Sequence, residues 1–224
     1  MALNINGTTG ISGVDGSVSA PAVTGTDSNT GITFPSADTI KFSTGGVERM
    51  QISNSGVTGT GIGAGVILQL KSVTKTDTSS LTGPQSTPQD ISGLSITITP
   101  ANASSKFYIT GKVAMSATYA TVGAIHINVN GTVVGNGDSD GSRPVGHTSG
   151  VGYADINSQN QYGLYSAAVD FLVNASDGNA HTIKLQLTQP DGARTVYINR
   201  SQTDSNGMSG PRYVSTLTVM EVAA

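Results

Sequence analysis

The segment Leu94-Ser95-Ile96-Thr97-Ile98-Thr99 puts an apolar residue at every second position and a hydroxyl residue between. That is the period of a strand with one face on a core and the other on water. Phe107, Ile109, Val113 and Met115 continue the pattern around Gly111, and Ile125, Ile127 and Val129 lead into Asn130-Gly131. Asn-Gly between apolar runs is the strongest short hairpin signal, and Val133-Val134 begins the return strand. Further runs lie at 66–73, 164–173, 183–187, 196–198 and 214–222. Together they make about eight or nine strands at sandwich spacing, and no segment carries a helical period. The expected fold is all-β, with an antiparallel β-sandwich over residues 64–224.

Composition agrees. Gly, Ser, Thr, Asn, Val and Ile dominate the 224 residues, tryptophan and cysteine are absent, and aromatic and charged residues are scarce. Helix formers have given way to residues that favour strands and turns. A net charge of -3, with lysines and arginines scattered, offers no basic field and argues against nucleic-acid binding. No window approaches the apolar length of a membrane span, and Met1 to Gly10 has neither a basic leader nor an apolar stretch. The expectation is a protein made in a cytoplasm without membrane insertion. Without cysteine there are no disulfides and no thiolate metal sites, so stability must come from burial and assembly.

Residues 1–63 read differently from the rest. Ile5, Ile11, Val14 and Val18 stand singly among Gly, Ser, Thr and Asn, too few to build a core. Within this part, Ile40 and Phe42, then Met50 and Ile52, are period-two pairs on either side of Gly45-Gly46. They read as two short strands with little to bury between them. Such a segment needs partner chains, which makes residues 1–63 an extended segment wrapped by copies of itself or docked into a larger assembly, and residues 64–224 a separate domain. Ile40, Phe42, Met50 and Ile52 are candidate contacts between copies. So are Leu217, Val219, Met220 and Val222, because the terminal strand ends as a nearly unbroken apolar run that suggests burial on both faces.

Two long loops, 136–161 and 201–211, are rich in Gly, Ser, Asp and Asn. Loops of that length in a compact domain carry function or are disordered, and in a sandwich they cluster at one end. Tyr153, Tyr162 and Tyr165 flank the first, among Asn157, Gln159 and Gln161. Tyrosine beside amides grips sugars or a protein surface at low entropy cost. Tyr153, Asn157, Gln159, Gln161 and Tyr162 are the candidate receptor contacts, the competing reading being that the tyrosines pack the base of the loop. Asp138-Ser139-Asp140-Gly141 has the spacing of the start of a calcium loop, making Asp138 and Asp140 candidate metal ligands. The competing reading is a polar turn in which Arg143 pairs with one of these carboxylates. His126, His147 and His181 are isolated in sequence and read as surface or interface side chains. No Gly-x-Ser-x-Gly elbow is present, and Glu48 and Glu221 do not form a glycosidase pair, so no enzyme is expected.

Gly45, Gly46, Glu48, Arg49, Met50 and Ile52 resemble, residue by residue, a Gly-Gly-x-Glu-Arg-Met-x-Ile motif of bacteriophage tail-fibre shafts. From Val66 onward the chain also resembles a C-terminal domain of fibre and related virion proteins of tailed phages, notably marine phages and cyanophages. The matching pieces are Leu68-Gln69-Leu70 with Lys75-Thr76-Asp77-Thr78, Ile91 to Pro100, and Ser104-Ser105-Lys106-Phe107. Gly137-Asp138, Gly141-Ser142-Arg143, Tyr197-Ile198-Asn199-Arg200-Ser201 and Ser215 to Ala224 follow in order. The resemblance implies a trimeric jelly-roll head, TNF-like in layout, on a thin and here very short shaft. The function it implies is structural: a short tail fibre or appendage of the virion, docked through its N-terminal segment to other virion proteins. Its head would attach to a host-cell polysaccharide or protein. A capsid or tail decoration protein is the alternative, and a polysaccharide-degrading tailspike a third. No cofactor is expected beyond calcium at the aspartates.

Overall fold

The computed structural model describes residues 4–6, 10–12, 15–54, 56–59, 65–118, 123–151 and 161–224. They are all-β and divide into two compact units, Met1–Val66 and Ile67–Ala224.

The first unit contains β1 (Asn4–Asn6), β2 (Gly10–Ser12), β3 (Gly16–Ser17), β4 (Ala20–Pro21), β5 (Val23–Thr24), β6 (Gly31–Ser36), β7 (Thr39–Thr44), β8 (Val47–Ser53) and β9 (Gly56–Thr58). β1 pairs with β2 and β3 with β4, while β5 to β9 form a five-stranded antiparallel meander in sequence order. The β7–β8 turn is Gly45-Gly46, with φ of 60° and 74°, a left-handed pair that only glycine adopts without strain. The register aligns Val23 with Ile32, Ile32 with Phe42 and Phe42 with Met50. Next to this row, Ile40 aligns with Ile52 and Ile52 with Val57. One face of the sheet is therefore apolar. The opposite face carries buried Thr33 and Ser43 and the Lys41–Glu48 ion pair at 2.7 Å. The apolar face is the more open one, since Val23, Ile40, Ile52 and Val57 are all exposed.

The second unit contains β10 (Ile67–Lys75), β11 (Ser79–Thr82), β12 (Gln85–Ile98), β13 (Lys106–Ala117), β14 (Gly123–Val129), β15 (Thr132–Val134), β16 (Thr148–Val151), β17 (Tyr165–Asn174), β18 (His181–Gln189), β19 (Thr195–Ile198) and β20 (Ser215–Val222). One sheet runs β10-β20-β13-β19-β11, with β17 also on β13; the other runs β12-β18-β14-β15, with β16 also on β14. The two form a sandwich of jelly-roll type. Its core interleaves Leu94, Ile96 and Ile98 with Phe107, Ile109, Ile125, Ile127, Ile183, Leu185, Leu217 and Val219. Asn130, at φ 51°, and Gly131, at φ 88°, make the β14–β15 turn.

Side-chain bonds reach the open edges of the sandwich at three backbone groups. At one corner Gln69 Nε2 donates to the Thr99 carbonyl at 2.6 Å and Lys71 Nζ to the Thr97 carbonyl at 2.8 Å, tying the β10 edge to the β12 edge. At another, the Asp170 amide of β17 donates to His147 Nε2 at 3.3 Å.

Three expectations change. β12 starts at Gln85, well before the alternation at Leu94, because its ladder slips between Gln85 and Gln89 and again between Asp90 and Ser95. Pro88 falls in the first slip, on an edge strand, where its missing N–H costs nothing. The loop 136–161 contains β16, whose Thr-Ser-Gly-Val shows no alternation and is recruited by pairing to β14. The terminal strand is not buried on both faces: Ser215, Leu217, Val219 and Glu221 point inward and are buried, while Thr216, Thr218, Met220 and Val222 lie half-buried on the outer face. Leu217 and Val219 are therefore core residues and cannot be contacts between copies, because strand alternation sends them the other way from Met220 and Val222.

Candidate functional site

The 201–211 loop is built on a buried asparagine. Asn199, at φ 63° and fully enclosed, follows β19 in the left-handed conformation that asparagine tolerates. Its Nδ2 donates to the carbonyls of Lys75 at 2.8 Å and Asp77 at 2.9 Å, and its Oδ1 accepts from Ser215 Oγ at 2.6 Å. Ser215 Oγ accepts in turn from the Ala114 amide at 3.0 Å. Backbone bonds from the Asn199 amide to the Ala114 carbonyl and from the Tyr213 amide to the Asn199 carbonyl complete the node. It fixes both ends of the loop against β10, β13 and β20.

Above the node, ion pairing closes the loop on itself. Arg212 grips Asp204 through Nε at 2.9 Å and Nη2 at 2.8 Å. The guanidinium holds the Asp204 carboxyl below the usual carboxylate range, and Asp204 raises Arg212 in return. Arg200 lies 4.0 Å above the Tyr197 ring and donates to the carbonyls of Ser201 and Gln202. The loop carries a fully exposed Met208, with Tyr213 and Val214 exposed beside its return.

The structure joins the two long loops at one point. The Thr203 amide donates to the Gln161 carbonyl at 3.2 Å, and the Thr203 hydroxyl to the same oxygen at 3.3 Å. Gln161 and exposed Tyr162 are thereby brought beside the 201–211 loop. Of the other candidate receptor contacts, Tyr153, Asn157 and Gln159 lie outside the described residues. Arg200, Asp204, Arg212 and Tyr213 were not among the candidates. The signal for them was an Asp and an Arg flanking a Gly- and Ser-rich turn, which only the fold brings into register.

The remaining candidates stand apart from this cluster. Asp138 and Asp140 are exposed, and Asp140 is paired with Arg143, the polar-turn arrangement. Among the described residues no three His, Asp or Glu side chains converge as a metal site would require. Ile40, Phe42, Met50 and Ile52 share the apolar face of the first unit's sheet. His126 and His181 are buried, not surface side chains as expected. His126 bonds Thr188 Oγ1 at 2.9 Å and Asn136 Oδ1 at 3.3 Å, and its burial pushes the imidazole pKa down. His181 sits edge-on to Phe107 and bonds the Asn179 carbonyl through Nδ1 at 2.7 Å. Glu48 pairs with Lys41, while Glu221 is buried, accepting from Gln69 and the Ala101 amide.

No family model matches the chain, and no curated protein matches it in sequence. Among solved structures it is similar to a chain of the infectious bursal disease virus Gx strain at 11% identity, with a TM-score of 0.35 over 94% of this chain and 54% of that one. A chain of the Gt strain of the same virus is similar at 12% identity, with a TM-score of 0.31 over 94% and 58%. The chain thus spans a little over half the length of those it matches.

Proposed function

We propose that the chain is a virion structural protein of a tailed phage, a short tail fibre or appendage that attaches to the host receptor as a homotrimer. The observation that supports this best is the loop end of the sandwich: Tyr162, Met208 and Tyr213 are exposed around loops held by the Asn199 node, the Asp204–Arg212 clamp and the Thr203–Gln161 link. A contact surface ordered in advance binds without first having to order itself. Several such ends in one assembly would turn weak sugar or protein contacts into avid attachment. The first unit, with its apolar sheet face open, is the part that docks to other virion proteins, in keeping with the shaft resemblance of Gly45 to Ile52.

The test is binding of the purified full-length protein to host cells and to their envelope polysaccharide. Saturable binding that falls at least tenfold, about 1.4 kcal/mol, in Tyr162→Ala/Tyr213→Ala supports attachment. Binding to emptied capsids with raised heat resistance, and none to cells, would make it a decoration protein. Release of reducing ends from the polysaccharide would make it a tailspike enzyme.

A further inference from the structure

Three Asn-Gly pairs fall among the described residues of the sandwich unit: Asn130-Gly131, Asn136-Gly137 and Asn206-Gly207. Asparagine before glycine is prone to lose ammonia spontaneously, because glycine has no side chain to keep its nitrogen away from the neighbouring carboxamide. The reaction needs the asparagine side chain and the following amide free to swing together. The fold denies that freedom at two of the three pairs. The Gly131 amide donates to Oδ1 of buried Asn128 at 2.9 Å, and Asn130 Oδ1 accepts from the Thr182 amide at 2.8 Å. The Gly137 amide donates to the Gly146 carbonyl at 3.1 Å, and Asn136 Oδ1 bonds His126 Nδ1 at 3.3 Å. Asn206 is exposed, and its carboxamide is bonded to none of the described residues. The Gly207 amide reaches the Ser205 carbonyl at 2.9 Å, a bond that closes around Asn206 itself and ties it to nothing beyond the loop tip. Exposure does not separate the three, since Asn130 is exposed too. Tethering does.

We propose that Asn206 is a self-modification site, converted without an enzyme into aspartate or isoaspartate, and that the fold guards Asn130 and Asn136 against the same change. The Gly207 nitrogen gives up its proton to solvent base and attacks Asn206 Cγ. The new N–Cγ bond closes a succinimide, the Cγ–Nδ2 bond breaks, and the leaving nitrogen takes a proton from solvent to depart as ammonia. One water then opens the ring. Addition at Cγ gives aspartate on the original backbone; addition at the main-chain carbonyl carbon gives isoaspartate, with the chain running through Cβ and Cγ. An amide is exchanged for a carboxylate, and nothing is oxidised or reduced. The new charge stands between Asp204, which Arg212 already grips, and the fully exposed Met208. Its weight for host binding rests on the attachment reading above, whereas the chemistry does not.

The test is to hold the full-length protein in mildly alkaline buffer at physiological temperature and to follow each pair by peptide mass spectrometry. The amide-to-acid mass change should accumulate at position 206 at least about tenfold faster than at 130 or 136 in the folded protein. In denaturant the three rates should converge, because the tethers are gone. Gly207→Ala places its Cβ in open space at a residue outside the left-handed region, so the fold and its melting should be unchanged while conversion at 206 slows about tenfold. Equal rates at the three pairs in the folded protein, the same ordering in denaturant, or a folded Gly207→Ala that converts as fast as wild type overturns the proposal. Aged protein that is converted at 206 yet binds host cells as fresh protein does would count against the loop tip as a receptor contact and leave the conversion standing.

Discussion

In the sandwich unit Ile109, Leu217 and Val219 are fully withdrawn from water, whereas Ile40, Ile52 and Val57 of the first unit, strand residues of the same kind, remain exposed. Both sets come from antiparallel strands in good register. What separates them is a second layer: the sandwich buries one sheet against the other, while among the described residues of the first unit Val23, Ile40, Ile52 and Val57 stay exposed on the apolar face of the β5 to β9 meander. A single-layer sheet gains little from burial to set against the entropy of ordering its strands. The head carries its own core and can present loops.

The largest effect should come from opening that core. Phe107→Ala removes a fully buried ring packed in the cluster with Leu217 and Val219, and should destabilise the head by about 3–5 kcal/mol in a denaturant titration. Ile52→Ala in the first unit should cost about 1 kcal/mol or less in the isolated chain, because the side chain is already more than a third exposed. Equal losses at the two sites would erase the distinction between the units. Separating the units is a second way to break it: a fragment of residues 67–224 should keep the melting transition of the full chain and lose entry into particles. A fragment that fails to fold would show that the sandwich needs the first unit.

Asn199→Ala ranks next, at about 3 kcal/mol, since it strands the buried carbonyl of Lys75 and leaves Ser215 Oγ without its acceptor. A loss near zero would mean that water replaces the amide and that the node does not hold the loop. After it comes pH. The depressed His126 pKa means that the unfolded chain binds a proton near pH 6.5 that the folded chain resists, so this residue's contribution is complete above 6.5 and falls as acid is added. His126→Gln should flatten the stability curve of the head as pH falls below 6.5. An unchanged curve would assign the acid sensitivity elsewhere.

These effects also show which parts of the molecule were legible in its sequence. Period-two alternation marked Leu94 to Ile98 and Ile125 to Val129 as strands, because burial on one face leaves a trace in every second residue. A different rule, which read Leu217, Val219, Met220 and Val222 as one apolar run buried on both faces, made contacts of Leu217 and Val219 where the structure has core residues, since an apolar run does not say which side meets a core. β16 and the first half of β12 left no trace because their pairing is imposed by neighbours distant in sequence. The site was legible only in outline. The loops were long and tyrosine-flanked, but the meeting of Gln161 with Thr203, 42 residues apart, and the closure of Asp204 on Arg212 depend on the sandwich ends that bring them together.

The smallest effect on stability, and the sharpest on function, should come from the Asp204–Arg212 clamp. Both side chains reach solvent, so Arg212→Ala should leave the melting temperature of the head within experimental scatter. Its consequence lies in order: without the guanidinium the 201–211 loop keeps the Asn199 node at its base but loses the bond that closes it, and amide exchange there should accelerate while the core strands stay protected. Acid should act in the same way. Because Arg212 lowers the Asp204 pKa from its usual 3.8, the clamp is intact above that value and is lost only as pH falls through the lower one. Protection of the loop amides, relative to their intrinsic exchange at each pH, should therefore fall in strong acid in the wild type and be low at every pH in Asp204→Asn. If Arg212→Ala loosens the loop and host binding falls with it, preorganisation is part of attachment. If exchange accelerates while binding is unchanged, the receptor contacts lie on Tyr162 and its side of the loop pair.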